Sequence, residues 1–174
     1  MRCNILLLAA LGLMAAAPPP PNGFGRPATP AEIAAADIDV RPDGAGLPPG
    51  HGSVAEGAAL FASACAACHG DQGQKPLTGL LRLTGGRGTL ATANPVQTVG
   101  SYWPYATTLF DYIRRAMPFP APGSLSDDQV YGLTAYVLRL NDVVPDGTDL
   151  DAATLPKVRM PNRDGFVPNP GDLP

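Results

Sequence analysis

The pentapeptide Cys65-Ala66-Ala67-Cys68-His69 constrains this chain more than any other stretch of it. Two thiols three positions apart on one helical turn reach the two vinyl groups of a single porphyrin and form thioethers with them. A His directly after them turns its imidazole under the ring and ligates the iron. Cys-x-x-Cys-His is the attachment sequence of c-type haem, so Cys65 and Cys68 are the candidate cofactor-binding residues and His69 the candidate iron ligand. Zinc would need two further ligands, and His51 is the one other histidine in the sequence. A redox dithiol would need a βαβ setting, which the sequence does not offer. One covalent haem c is the cofactor expected.

The length of 174 residues suits one domain with some chain to spare. A net charge of −3, with Lys75 and Lys157 the only lysines, argues against a nucleic-acid or anionic-membrane surface and against a lysine-ringed docking face. Residues 1–17 read as a secretory signal: Arg2 supplies the positive start, Ile5 to Leu13 the apolar run, and Ala15-Ala16-Ala17 the small-residue cleavage site. The run is too short to cross a bilayer, which takes about 20 apolar residues. Cleavage removes Cys3 and Arg2, taking the charge from −3 to −4 and leaving no thiol for a disulfide. The expected place is the bacterial periplasm, with no membrane contact after cleavage.

Residues 18–52 form a Pro/Gly-rich linker and N-terminal arm, in which Thr29-Pro30-Ala31-Glu32 is a capping box opening a short helix to about Ala36. Ser53-Val54-Ala55-Glu56 is a second capping box and starts the helix that carries the haem motif. Its apolar stripe is Val54, Ala58 and Phe61, and Gly57 on that flank lets another helix approach closely. Gly70 and Gly73 end the segment. The Gly85-Gly86-Arg87-Gly88 loop precedes no strand-to-helix phosphate site, which discounts nucleotide binding. An aromatic cluster, Tyr102-Trp103-Pro104-Tyr105, leads to a helix near Thr107 to Ala116, with Leu109, Tyr112 and Ile113 expected on one face. Ser126-Asp127-Asp128-Gln129 caps the most regular amphipathic helix, whose inner face is Val130, Leu133, Thr134, Val137 and Leu138. That helix ends near Asn141 and closes a cytochrome-sized segment, residues 53–141. Residues 142–174, with six prolines, read as an extended C-terminal tail containing at most one helical turn, at Asp149 to Thr154. No stretch carries a strand signal.

The second axial ligand decides between electron transfer and catalysis. Met117, Met160 and His51 are the candidates. Met117 lies 48 residues beyond His69, between two helices and beside Pro118, where a thioether is readily held against the iron. Met160 also precedes a proline, in the tail; His51 lies in a Gly/Pro stretch. The alternative role for Met117 is gap-filling at a helix end. Met/His ligation raises the reduction potential and closes the iron to substrates, which favours a carrier.

The capped helix, the Cys-x-x-Cys-His motif, Pro76-Leu77-Thr78-Gly79-Leu80, the Met117-Pro118 loop and a last helix reading Leu133-x-x-Tyr136-Val137 resemble class I cytochromes c over about residues 53–141. The resemblance implies an all-α fold, a small helical bundle around one covalent haem, here with extended Pro/Gly-rich N- and C-terminal arms. It implies crossing first and last helices, Gly57 and Phe61 against Tyr136. It also implies a proline carbonyl accepting from His69 Nδ1; Pro76 is the candidate, though nearer His69 than the family usually has it. A narrower similarity runs through residues 37–44, 98–108, 116–119 and 157–166. It is to the cytochrome subunit of periplasmic sulfite and sulfane dehydrogenases, whose partner subunit holds a molybdenum cofactor. The single Cys-x-x-Cys-His departs from the two-haem members.

What this similarity implies is a periplasmic electron-accepting subunit, not itself an enzyme, that takes electrons from the molybdenum subunit and passes them to a downstream acceptor. The alternatives are a free carrier serving a terminal oxidase, and a haem enzyme or sensor with an open distal site.

Overall fold

The computed structural model describes residues 24–75, 77 and 79–167. The expected signal segment lies outside them. Contacts divide the chain into two units, one up to Asp37 and one from Ile38 onward. In the first, α1 (Pro30–Ala36) opens with the expected capping box: Thr29 Oγ1 accepts from Glu32 N, and the Glu32 carboxylate accepts from Thr29 N at 2.8 Å. Arg26 pairs with the same carboxylate and holds it down to about 2.

The second unit is built on four helices: α2 (Val54–Ala64), the single turn α3 (Ala66–His69), α4 (Ala106–Ala116) and α5 (Asp127–Leu140). Capping boxes at Ser53–Glu56 and Ser126–Gln129 start α2 and α5 where the sequence places them. Helix α5 is the centre of the fold. The five residues expected on its inner face are buried, and so are Tyr131, Gly132 and Ala135, because neighbours cover it on three sides. On one side α2 crosses it with Gly57 against Gly132. A Cβ on Gly57 would overlap the Gly132 carbonyl and lie 2.9 Å from Tyr136 Cβ. Beside this contact the rings of Phe61 and Tyr136 meet at 5.2 Å. On a second side α4 packs Phe110 on Tyr131, ring centroids 4.5 Å apart. Phe110, fully buried, takes the inward place expected for Tyr112, which is 49% exposed and braced edge-on by Trp103 at 5.7 Å.

The third side corrects the expectation that no strand occurs. β1 (His51–Ser53) and β2 (Asp149–Asp151) pair antiparallel, with His51 opposite Asp151 and Ser53 opposite Asp149. Gly52, in the middle of β1, lies against α5, where a Cβ would be 2.6 Å from the Asp128 carbonyl. The helical turn expected at Asp149 to Thr154 is displaced, for the Asp151 carboxylate accepts from the amides of Ala153 and Thr154 at 2.9 and 2.8 Å and turns the chain. A 3-10 turn follows at Leu155–Lys157. The polypeptide beyond α5 is part of the core, with Leu150, Leu155 and Met160 at 2, 0 and 1% exposure. The stretch before β1 is tied down as well. Val40 N donates to Asp111 Oδ1 at 3.2 Å, Arg115 bridges Asp111 and Asp39, and Tyr131 Oη donates to the Pro48 carbonyl at 2.9 Å. Among the described residues no helix is long and apolar enough to cross a membrane.

Replacing Gly57 with Ala should cost about 3 kcal/mol or more, since the obstruction is backbone that cannot step aside. Helix propensity alone favours Ala by roughly 0.5–1 kcal/mol, the opposite sign. The shift in urea midpoint measures which effect wins, and a change near zero would mean that the two helices slide apart freely.

A second expectation concerns alkaline pH. Burial first, then the charges of Asp127 and Asp151, push the Tyr131 hydroxyl from 10 up to about 12. The folded state therefore holds this proton more tightly than the unfolded chain. Its contribution is intact below pH 10 and is lost as pH rises toward 12, a difference of roughly 2–3 kcal/mol at the upper end. In urea titrations at pH 9 and 11, Tyr131→Phe should show a smaller alkaline loss than the parent; equal losses would refute the assignment.

Candidate haem site

Helix α2 ends at Cys65, which has φ −120° and ψ −35°, and the single turn α3 restarts from it. The amides of Cys68 and His69 both donate to the Cys65 carbonyl, at 3.1 and 3.0 Å, so the two thiols and the imidazole are fixed on one tight turn. Both cysteines are free thiols, Cys65 half-buried and Cys68 exposed. Burial raises the Cys65 thiol above its ordinary range, with the neighbouring Cys68 a smaller cause.

Gly70 then leaves the turn at φ 75°, close against the Lys75 backbone, where a Cβ would be 2.7 Å from the Lys75 carbonyl oxygen. The loop beyond folds back on the motif. Leu77 N donates to the Cys68 carbonyl at 2.9 Å, and Leu83 N to that of Gly73 at 2.7 Å. Asn141, at the end of α5, donates to the Leu83 carbonyl at 3.2 Å, and Arg87 donates to the Asn141 carbonyl at 2.6 Å. The glycine-rich loop is thus a tether to α5.

His69 is the most telling residue of the group. Its Nδ1 is buried and finds no partner among the described residues, a costly state for a ring nitrogen. Burial lowers its basicity and so favours the neutral imidazole, the form that ligates a metal. Pro76, the acceptor that the resemblance nominates, lies outside the described residues. Two free thiols and a neutral imidazole on one turn, followed by a loop that exposes Leu77, Leu80 and Leu81, match the needs of a flat apolar ring carrying a ligatable iron.

The three candidates for a second ligand lie in different settings. Met160 is 1% exposed and walled in by the core, so it is not the loose tail residue that its sequence position suggests. The ring of His51 is held by Asp149 on the ribbon, Nδ1 to Oδ2 3.3 Å, and that carboxylate raises its pKa. Met117 caps α4 in extended backbone, donates its amide to the Ile113 carbonyl, and stays half-buried at the core edge. Its bond to Pro118 is cis. Of the two thioethers, Met117 alone keeps accessible surface.

Comparison with known proteins agrees with this geometry. Residues 52–137 match the family described as cytochrome C oxidase, cbb3-type, subunit III. No curated protein matches. Among solved structures, a chain of the sulfane dehydrogenase SoxCD from Paracoccus pantotrophus is 47% identical. The similarity covers 86% of this chain and 73% of that one, with a TM-score of 0.78. The chain belongs to the c-type cytochromes and resembles a sulfane dehydrogenase subunit.

Proposed function

We propose that this protein is the electron-accepting subunit of a molybdenum-dependent sulfite or sulfane dehydrogenase, working in the periplasm with one covalent haem c. Cys65 and Cys68 would tether the haem by thioethers, and His69 and Met117 would ligate its iron. When bound, the haem supplies a one-electron iron couple. The protein's own part would be to orient the His69 imidazole and to offer the apolar side chains of Leu77, Leu80 and Leu81 and the Met117 thioether to the ring and its iron.

The observation that carries the reading is the extent of the similarity. Residues 53–141 make up about half the chain, whereas 86% of it aligns at 47% identity, so the match takes in the arms as well. A free carrier has no need of such arms. The match of residues 52–137 to an oxidase subunit family favours the alternative, a soluble carrier delivering electrons to a terminal oxidase.

Docking rests on apolar contact. With only two lysines in the sequence, the exposed surface at Met117-Pro118-Phe119-Pro120, where Phe119 is 82% exposed, is the expected point of approach.

In the exported protein carrying one added haem mass, Met117→Ala should abolish the weak long-wavelength band of Met–iron ligation and let exogenous ligands reach the reduced iron. Met160→Ala should keep the band while lowering stability by roughly 2–5 kcal/mol through its cavity. The opposite pattern would move the distal ligand to Met160.

For the partner, a co-expressed molybdenum subunit and a sulfur substrate should reduce this cytochrome at a rate that survives moderate salt, because screening acts mainly on exposed charge pairs. Reduction by no sulfur substrate through any such subunit would leave the free-carrier reading standing instead.

A further inference from the structure

The turn that carries His69 is only four residues long, and Cys68 on it is exposed, yet His69 Nδ1 is buried. The segment after the turn returns over it. The Lys75 backbone closes on Gly70, and Leu77 N donates to the Cys68 carbonyl, so this segment lies against both sequence neighbours of His69. Among its described residues, from Gly70 to Thr84, there is no helix or strand. A segment of that kind keeps its place only through individual bonds to something rigid.

Those bonds converge on Asn141. Gly73 N donates to the Gly70 carbonyl at 3.1 Å. The carbonyls of Gln72 and Gly73 accept from Thr84 Oγ1 at 3.2 Å and from Leu83 N at 2.7 Å. The Leu83 carbonyl in turn accepts from Asn141 Nδ2 at 3.2 Å. Asn141 is 6% exposed and follows the last residue of α5. Its Nδ2 gives a second bond, at 2.9 Å, to the carbonyl of Val137, in the last turn of that helix, where carbonyls lack helical partners. Both donors of the amide are therefore used, one on the central helix and one on the segment over His69. Gly100 backs the side chain so closely that a Cβ there would lie 2.4 Å from Asn141 Oδ1, which leaves the amide no room to swing away.

We propose that Asn141 is a positioning residue for the iron-ligating imidazole. Through Leu83 and Gly73 it holds the segment that closes over His69 Nδ1 and keeps water from that nitrogen. A ligating histidine is oriented by what meets its other ring N–H, so a residue that fixes the cover fixes the ligand. The inference rests on His69 ligating the iron, and it does not depend on the identity of the electron-transfer partner.

The test is hydrogen exchange of His69 Nδ1–H, followed by NMR in the reduced, haem-loaded exported protein, beside the amides of Val130 and Tyr131 in α5. Asn141→Leu, of similar size but without donors, should speed the His69 proton about tenfold or more, and by a larger factor than the two amides. Thr84→Val removes the parallel bond to Gln72 and should act in the same direction. It serves as the second variant should Asn141→Leu fail to fold. Leu155→Ala, a cavity in the core away from this segment, should speed the α5 amides by at least as large a factor as the His69 proton. If Asn141→Leu and Thr84→Val speed the His69 proton and the α5 amides equally, or leave the His69 proton unchanged, the residues are merely structural and the proposal is overturned. A parent protein with no added haem mass, or with no ring-current shift on His69, would overturn the haem reading itself and this inference with it.

Discussion

The contact of Gly57 with Gly132 sets the spacing of everything else. Two helices meet backbone to backbone, with no side chain between them. Only at that distance do Phe61 and Tyr136 reach ring contact. Only then does Gly52 of the ribbon also fit against the same turn of α5. Because α2 runs directly into the Cys65–His69 turn, the angle fixed at Gly57 fixes where the two thiols and the imidazole point. The energetic logic is close packing: a dense interior transmits a displacement of one methyl group rather than absorbing it.

Around this crossing, polar residues do the aligning. Asn141 and Arg87 hold the glycine-rich loop to the end of α5, and Arg115 with Asp111 holds the residues near Asp39 to α4. The Arg115 ion pairs are partly exposed, so each contributes little to stability by itself. Their effect is positional, since they set the path of segments that have almost no regular structure.

Much of this was legible in the sequence, and the reasons differ by element. The capping boxes at Thr29, Ser53 and Ser126 mark three helix starts because the reciprocal bonds are local, spanning three residues. The haem motif is legible for the same reason. Gly57 announces a close approach, but its partner Gly132 is hidden inside an otherwise ordinary apolar run. Phe110 and Tyr112 exchange places because two overlapping helical stripes are possible and the neighbour, Tyr131, makes the choice. The ribbon is invisible locally, being three residues a side with partners 96 to 100 positions apart. Met160 is misplaced by the same blindness: proline content suggests a loose tail, while burial depends on what the tail lies upon.

The ribbon has one more consequence, for the way the protein opens. Chain ends ordinarily fray, and their amides exchange with solvent at almost no free-energy cost. Here residues 51–53 and 149–151 are hydrogen-bonded to each other, and Gly52 and Leu150 are buried with α5. Releasing either segment exposes the central helix. Their amides are therefore expected to exchange with the core rather than ahead of it, so the polypeptide flanking the haem domain belongs to the same cooperative unit as the helices that carry the cofactor.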